Sequence, residues 1–177
     1  MTQALLVVDA QNEFSAGGKW PLPNFSAALA AIVCHVDRAR REQRPIAWVR
    51  MPGADLSPGL GPKTGFGPEG LFEKDIYGAF TGTGIEQWLR SFGVQSVLIV
   101  GFYAHICLST SAREALSRGF EVFIDPEATG ARDLEDKILG RQTADEVRRS
   151  ALLHLTNMGA VVVDGVSEAR FRHRTQN

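Results

Sequence analysis

The chain has 177 residues, of which 44% are hydrophobic and 22% are charged, and its formal net charge is -1. This balance is typical of a globular protein with one core, and it excludes a disordered or fibrous chain, so we expect a single domain over residues 1–177. The near-neutral charge argues against nucleic acid and anionic membranes as partners.

Short apolar runs alternate with segments of helical periodicity along the whole chain. The runs are closed by a polar residue or a glycine, which is typical of strands buried on both faces of a parallel sheet. In chain order the predicted strands (β) and helices (α) are β Ala4–Val8, α Ser26–Arg41, β Ile46–Val49, α Gly84–Phe92, β Ser96–Val100, α Ile106–Ser117, β Glu121–Ile124, α Thr143–Asn157 and β Ala160–Val163.

This alternation predicts βαβ units and therefore a three-layer α/β/α fold. Its centre is a mainly parallel, Rossmann-like sheet of five or six strands. Two segments interrupt the alternation: Met51–Gly70 is rich in glycine and proline, and Asp125–Gln142 is polar. We predict both as long loops that form walls of a ligand crevice at the carboxyl ends of the strands.

The sequence also indicates where the protein is located. No apolar run approaches the roughly 20 residues that span a bilayer, and Met1–Asp9 lacks the features of a signal peptide. We therefore expect a cytoplasmic location. The two cysteines, Cys34 and Cys107, lie far apart, so no disulfide framework is expected.

Three reactive residues follow predicted strands or lie in loops: Asp9, Lys74 and Cys107. Cys107 lies near the first turn of a predicted helix, where free N–H groups and the helix dipole favour a thiolate. A free thiol is only a few per cent ionised at neutral pH, so it needs a nearby base or cation. Asp9 and Lys74 would supply one of each.

Three ordered segments of the chain resemble the isochorismatase-like cysteine hydrolases. Ala4–Phe14 contains an apolar strand followed by Asp-x-Gln, and Glu73–Leu89 contains Lys-x-x-Tyr-x-x-Phe-x-Gly-Thr. Val97–Gly130 contains a glycine with a cysteine six residues later. The three segments occur in the family's order, and the resemblance implies the same fold.

The resemblance implies that Cys107 is the nucleophile, Asp9 the general base and Lys74 the cation that holds both in place. Cys107 would attack the carbonyl of an amide or ureide, ammonia would leave, and water would hydrolyse the thioester. It also implies a cis peptide bond between Phe102 and Tyr103. The backbone N–H groups of Tyr103 and Cys107 would then form the oxyanion hole.

The resemblance does not extend to the zinc site of the nicotinamidase branch. That branch has an Asp-x-His pair after its second strand, where this chain reads Arg50–Asp55. The histidines lack metal-ligand spacing, so we predict no metal and no other cofactor, and nicotinamidase activity is disfavoured. They are His35, His105, His154 and His173.

Three functions stay open at this stage. The first is hydrolysis of a small amide, ureide or carbamoyl compound through a cysteine thioester, which releases ammonia. The second is isochorismatase-type hydrolysis of a vinyl ether, which does not need the cysteine; the presence of Cys107 therefore favours amide chemistry. The third is an idle member of the family that binds a metabolite or acts as a scaffold.

Several other side chains are candidates for substrate binding, each with an ordinary alternative. Gln11 and Phe14 would line the pocket, or would bind backbone and pack in the core. Tyr77 and His105 would contact the substrate, or would pack and make one ordinary hydrogen bond. Cys34 is interpreted as packing on the apolar face of its helix.

Charged side chains leave the substrate undefined. A substrate carboxylate could be bound by Arg50, Lys63, Arg132 or Arg141, and the sequence does not choose among them. The basic segment Arg170–Arg174 is short and is interpreted as a solvated end. Members of the family are usually oligomers, so the resemblance implies a homodimer or homotetramer.

Overall fold

Six parallel strands form the central sheet of the protein, whose computed structural model describes residues 2–163. The strands are β1 (Thr2–Val8), β2 (Ile46–Arg50), β3 (Glu69–Glu73), β4 (Val94–Phe102), β5 (Glu121–Gly130), β6 (Leu134–Asp136), β7 (Gly140–Gln142) and β8 (Val161–Val162). The sheet runs in the order β3-β2-β1-β4-β5-β8, while β6 and β7 form a separate antiparallel hairpin.

Helices cover both faces of this sheet. They are α1 (Phe25–Arg41), α2 (Ile85–Ser91), α3 (Cys107–Ser117) and α4 (Ala144–Asn157), and a short 3-10 turn covers Asn12–Phe14. The buried side of α1 packs on one face, and α2, α3 and α4 pack on the other. The predicted three-layer α/β/α fold with a parallel, Rossmann-like sheet is confirmed.

Strand β1 shows why the buried runs are continuously apolar. Successive side chains of a strand point to opposite faces. Leu6 and Val8 therefore enter the core beneath α2, α3 and α4, whereas Leu5 and Val7 enter the core beneath α1. Because helices cover both faces, every position from Ala4 to Val8 is apolar.

Strand β3 was not predicted. Its sequence, Glu-Gly-Leu-Phe-Glu, has no apolar run because the strand lies at the edge of the sheet and is only partly buried. Glu69 is nevertheless held by two hydrogen bonds from Arg40 and one from the Trp48 indole. The pairing of β3 with β2 places Lys74, the next residue along the chain, at the carboxyl edge.

The prediction of a long loop over Asp125–Gln142 was wrong. Strand β5 continues to Gly130, and the hairpin of β6 and β7 follows it. Asp136 accepts hydrogen bonds from the N–H groups of Ile138 and Leu139 at the hairpin tip. The hairpin is exposed, so its polar composition resembles that of a loop and gave no strand signal.

A bulge explains why β5 appeared shorter in the sequence. The residues paired with β4 jump from Ile124 to Thr129, so residues 125–128 leave the ladder. Asp125 in this bulge lies 2.7 Å from the buried His35 of α1, measured between Oδ2 and Nε2. This pair fixes the bulge against the helix.

The interpretation of Cys34 as a core residue was wrong, because its side chain is exposed. The buried stripe of α1 includes Ala28, Ile32 and Val36, which are four residues apart. Cys34 lies two residues from Ile32, which corresponds to about 200° around a helix. It therefore faces away from the sheet.

Two sequence features concern membranes and the chain end. Within residues 2–163, none of the helices is both long enough and apolar enough to cross a bilayer. The basic segment Arg170–Arg174, which includes His173, lies outside the described residues.

The capping box predicted at the start of α4 is present: Thr143 accepts the N–H of Glu146, whose carboxylate accepts the N–H of Thr143.

Candidate active site

Asp9, Lys74 and Cys107 all follow the carboxyl ends of sheet strands. Asp9 follows β1, Lys74 follows β3, and Cys107 begins α3 after β4. Because the strands are parallel, these ends lie at one edge of the sheet. Strands β1 and β4 are neighbours at the point where the strand order reverses, which is where open α/β sheets form a ligand crevice.

A buried ion pair joins the first two of these residues. Lys74 Nζ lies 2.9 Å from Asp9 Oδ2, and both side chains are almost fully buried. The same ammonium donates a hydrogen bond to the carbonyl of Ile76, at 3.2 Å. The Asp9 carboxylate accepts no backbone N–H from residues 2–163, and after burial the groups there that affect its pKa most are the Lys74 ammonium and the Cys107 thiol.

The backbone turns sharply to place the Asp9 carboxylate. Asp9 has a φ of 51°, a left-handed conformation that aspartate adopts more readily than most residues. Its N–H donates to Val49 and its carbonyl accepts from Gln11. Opposite this turn, a Cβ on Gly101 would lie 1.8 Å from the Val8 carbonyl oxygen, so only glycine lets β4 approach β1 this closely.

The turn before α3 presents two free backbone donors. The Tyr103 carbonyl accepts hydrogen bonds from the N–H groups of Ile106 and Leu108, at 3.1 Å each. Among the described residues, the N–H groups of Tyr103 and Cys107 have no hydrogen-bond partner. The peptide bond between Phe102 and Tyr103 is cis. The turn that holds the thiol can therefore bind an oxyanion.

Ser111 connects this turn to the segment after Lys74. Its hydroxyl donates to the Cys107 carbonyl at 2.6 Å and accepts the N–H of Ala79 at 3.1 Å. All three groups are buried. Sequence analysis did not identify Ser111, because a serine that binds the carbonyl four residues earlier is an ordinary feature of helices.

Burial determines the protonation of the site at rest. It raises the pKa of Asp9, although the Lys74 ammonium opposes this shift. Burial and the negative charge of Asp9 raise the pKa of Cys107 to about 12, again against the effect of Lys74. Burial therefore outweighs the preference for a thiolate that the helix start was expected to supply. The thiol is therefore protonated at rest, and it lies beside the Asp9 side chain, whose ionised form the Lys74 ammonium favours.

This protonation predicts how Cys107 reacts with iodoacetamide. Only the thiolate reacts, so its alkylation rate should rise steadily between about pH 7 and pH 10, close to tenfold per pH unit. A short unstructured peptide with a single cysteine should level off above its thiol pKa of about 8.5 and provides the control. Mass spectrometry of the Cys107 peptide over time measures the rate. A plateau near neutral pH would show that the resting residue is a thiolate.

Gln11 binds backbone rather than facing the crevice. Its side chain is fully buried, and Nε2 donates to the carbonyls of Met51 (3.0 Å) and Ala54 (2.7 Å). Its Oε1 accepts the N–H of Met51 at 3.0 Å. Both amide protons are used, so the structure favours the structural alternative: Gln11 fixes the loop after β2 against β1.

Phe14 and Tyr77 differ in burial. Phe14 is buried, and its ring centroid lies 5.5 Å from that of Phe102 and 4.9 Å from that of Tyr103. It supports the cis turn by packing against it. Tyr77 is 62% exposed, so it does not pack in the core, and its contact with substrate stays a prediction.

His105 does not make the single hydrogen bond that sequence analysis gave as its ordinary role. Both of its ring nitrogens are buried, and neither has a hydrogen-bond partner among residues 2–163. Its ring lies 5.3 Å from that of Tyr103, measured between centroids. Burial and the nearby charge of Arg132 lower its pKa, so the imidazole is neutral near pH 7.

The residues at the position of the zinc site in the nicotinamidase branch do not fit a metal site in this chain. Arg50 occupies that segment and forms ion pairs with Glu73 at 2.7 Å and Asp55 at 3.5 Å. Within residues 2–163, no group of three or more His, Cys, Asp or Glu side chains is arranged to hold a metal ion.

Comparison with known proteins agrees with this geometry. The sequence matches the family model described as the isochorismatase domain over residues 3–165. It is 31% identical to the secreted isochorismatase effector Isc1 of Verticillium dahliae over 143 residues, which cover 73% of each chain. It is 28% identical to nicotinamidase 3 of Arabidopsis thaliana over an alignment of 184 residues, which covers 91% of this chain and 84% of that one. The first relative is named as secreted, so the cytoplasmic location stays a prediction.

Comparison of structures points to the same family as comparison of sequences. The structure superimposes on the crystal structure of an isochorismatase from Pseudomonas putida with a TM-score of 0.86 and 28% identity. The superposition covers 94% of this chain and 89% of that chain. Sequence, sheet order and the arrangement at the carboxyl edge thus lead to one assignment: the chain belongs to the isochorismatase family of hydrolases.

Proposed function

We propose that the protein hydrolyses a small amide, ureide or carbamoyl compound through a thioester on Cys107 and releases ammonia. One observation supports this proposal above others: the buried Asp9–Lys74 ion pair lies against the Cys107 thiol, on a turn with two free N–H donors. The relationship to a protein named nicotinamidase is consistent with amide chemistry.

The first half of the reaction forms the thioester. Asp9 accepts the thiol proton while Cys107 Sγ attacks the carbonyl carbon, and the carbonyl oxygen becomes an oxyanion. The N–H groups of Tyr103 and Cys107 donate to this oxygen. The intermediate then collapses, the C–N bond breaks, and the nitrogen leaves as ammonia with the proton from Asp9. Lys74 opposes the protonation of Asp9 at rest, which keeps the base available.

The second half of the reaction regenerates the thiol. A water molecule takes the place of ammonia, loses a proton to Asp9 and attacks the thioester carbonyl. The C–S bond breaks, the carboxylic acid is released, and Asp9 returns the proton to Cys107. One base with an environment that raises its pKa thus acts in both halves.

Ammonia release from a panel of amides, ureides and carbamoyl acids tests the proposal. We expect release that a chelator does not change, and an acyl adduct on the Cys107 peptide when the reaction is quenched in acid. Hydrolysis of isochorismate without ammonia release from any panel member would instead support the vinyl ether alternative. Inactivity with both kinds of substrate would support the idle binder.

We also propose that the protein is a homodimer or homotetramer in which the β6–β7 hairpin contacts a second copy. At its tip, Ile138 is 93% exposed and Leu139 is 89% exposed, and large apolar side chains are seldom left in water together. The double variant Ile138→Ser/Leu139→Ser should therefore have a smaller mass by light scattering. Val33→Ser, an exposed position on α1, serves as the control. A monomeric wild type, or an unchanged mass of the double variant, would contradict the proposal.

A further inference from the structure

The Lys74 segment, residues 74–84, joins β3 to α2 and lies outside the helices and strands. Its first residue carries the buried ammonium of the site. The N–H of Lys74 donates to the Arg50 carbonyl at 3.1 Å, and the ammonium donates to the Ile76 carbonyl at 3.2 Å. Because such a segment lacks the repeated backbone hydrogen bonds of a helix or strand, its position depends on contacts with other parts of the chain.

Side chains of α3 accept three successive backbone N–H groups of the Lys74 segment. The N–H of Ala79 donates to the Ser111 hydroxyl at 3.1 Å. The N–H of Phe80 donates to Glu114 Oε2 at 2.8 Å, and that of Thr81 donates to Glu114 Oε1 at 3.2 Å. The Thr81 hydroxyl also donates to Oε1. One carboxylate thus accepts three hydrogen bonds, and its charge makes them stronger than bonds between neutral groups.

Gly78 allows this carboxylate to approach the segment closely. A Cβ on Gly78 would lie 2.3 Å from Glu114 Oε2, so a larger residue there would displace the carboxylate from its donors. Beyond the contact, Phe80 is buried in the core, and its ring centroid lies 5.7 Å from that of Phe120. The segment is therefore fixed at residues 78–81, a few residues after the ammonium.

The two acceptors lie on the same side of α3 as the nucleophile. Cys107, Ser111 and Glu114 follow one another at intervals of four and three residues, which places them on one face of a helix. The Ser111 hydroxyl also donates to the Cys107 carbonyl at 2.6 Å, so it contacts both the nucleophile's turn and the Lys74 segment. One helix face therefore fixes the thiol and the segment that carries the ammonium relative to each other.

The position of the ammonium affects both of its neighbours in the site. Lys74 lowers the pKa of Asp9 and that of Cys107, in each case against the effect of burial. The interaction of two charges weakens with distance, and it is largest where water is excluded. A displacement of the ammonium away from the site would therefore raise both pKa values.

We propose that Glu114 is a positioning residue for the reaction and acts together with Ser111. It holds the Lys74 segment on the face of α3 that carries Cys107, and thereby keeps the ammonium beside Asp9. Glu114 acts through Lys74 and transfers no proton itself. The inference rests on the proposed function, in which Asp9, Lys74 and Cys107 are the reacting group.

Hydrolysis by variants of this contact provides the first test. We expect Glu114→Ala to lower kcat by about 10- to 100-fold with a much smaller change in KM, because the reacting groups are misaligned while the oxyanion donors remain. Glu114→Gln keeps one oxygen acceptor and should lose less. Gly78→Ala displaces the same carboxylate and should act in the same direction. Glu86→Gln, which removes a carboxylate from an ion pair with Arg118, is the control and should keep wild-type activity.

The pH dependence separates positioning from a loss of stability. The acid limb of kcat/KM reports the pKa of the base in the free enzyme, which is Asp9 in the proposed mechanism. In Glu114→Ala this limb should move to higher pH, because a displaced ammonium opposes the effect of burial less strongly. A lower kcat with an unchanged acid limb would overturn the inference, since it would show that Glu114 has a structural role only.

Alkylation of Cys107 by iodoacetamide tests the inference without a substrate. A displaced ammonium raises the thiol pKa, so Glu114→Ala and Gly78→Ala should be alkylated at least about threefold more slowly than the wild type at pH 9. Lys74→Met removes the ammonium and gives the limit of this effect. Equal or faster alkylation of the Glu114 and Gly78 variants would overturn the inference and leave the proposed function intact. Slower alkylation in a protein that hydrolyses no amide would support the inference and contradict the proposed function.

Discussion

Replacing Cys107 with alanine should lower the rate of ammonia release by at least about 1,000-fold, because the variant cannot form the thioester. Its backbone N–H remains, so the oxyanion site and the Asp9–Lys74 pair should persist and substrate binding should change much less than the rate. Single-turnover assays on the best amide of the panel measure the first effect, and a competitive inhibitor measures the second.

Cys34→Ala is the matched control for this substitution. Cys34 is exposed on α1, on the side of the helix away from the sheet, and the mechanism does not use it. We expect its activity to equal that of the wild type. If Cys107→Ala instead retained more than about a tenth of the activity, a covalent mechanism would be excluded. Asp9 would then be the base for direct attack by water.

Replacing Lys74 with methionine should lower the free energy of unfolding by about 3–5 kcal/mol at pH 8, because it leaves the buried Asp9 carboxylate without its counter-charge. Removing Lys74 also removes the positive charge that lowers the pKa of Asp9, so burial raises this pKa further in the variant. A carboxyl group whose pKa is raised in the folded state favours folding when protonated and opposes it when ionised. The loss should therefore shrink as the pH falls, which urea unfolding at pH 8 and pH 5 would measure.

The double variant Asp9→Asn/Lys74→Met tests whether the two charges compensate each other. It removes both buried charges, so it should be more stable than Lys74→Met at pH 8. Its loss of stability should be smaller than the sum of the losses in the single variants Asp9→Asn and Lys74→Met. Arg141→Met removes an exposed ion pair and should change stability little. Equal stability of Lys74→Met at both pH values, or additive losses in the double variant, would show that the Asp9 carboxylate is not held as a buried anion.

The sequence by itself predicted the architecture and the identity of the three reactive residues. Strands covered on both faces must be apolar throughout, so runs such as Ala4–Val8 could be recognised without knowledge of their neighbours. The carboxyl ends of parallel strands lie at one edge, so polar residues that follow them converge. Asp9 and Cys107 were identified in this way and by the resemblance, and Lys74 by the resemblance alone.

Features that depend on exposure or on distant partners were not predictable. The edge strand β3 lacks an apolar run because one side of it has no neighbouring strand. Cys34 and Ile32 lie in the same apolar segment, yet only contact with the sheet determines which of them is buried. Gln11 likewise binds a loop about 40 residues away, and no local pattern records such a bond.

The electrostatic state of the site was also decided by the tertiary structure alone. Position at a helix start favours a thiolate, but burial beside Asp9 outweighs it and keeps Cys107 protonated. Arg132 was one of four equivalent basic residues in the sequence, and only the fold shows that its Nε atom is buried without a hydrogen-bond partner among residues 2–163. Local sequence determines which residues form strands and helices. Burial, charge and the choice of partner depend on long-range contacts, so they are determined only when the chain is folded.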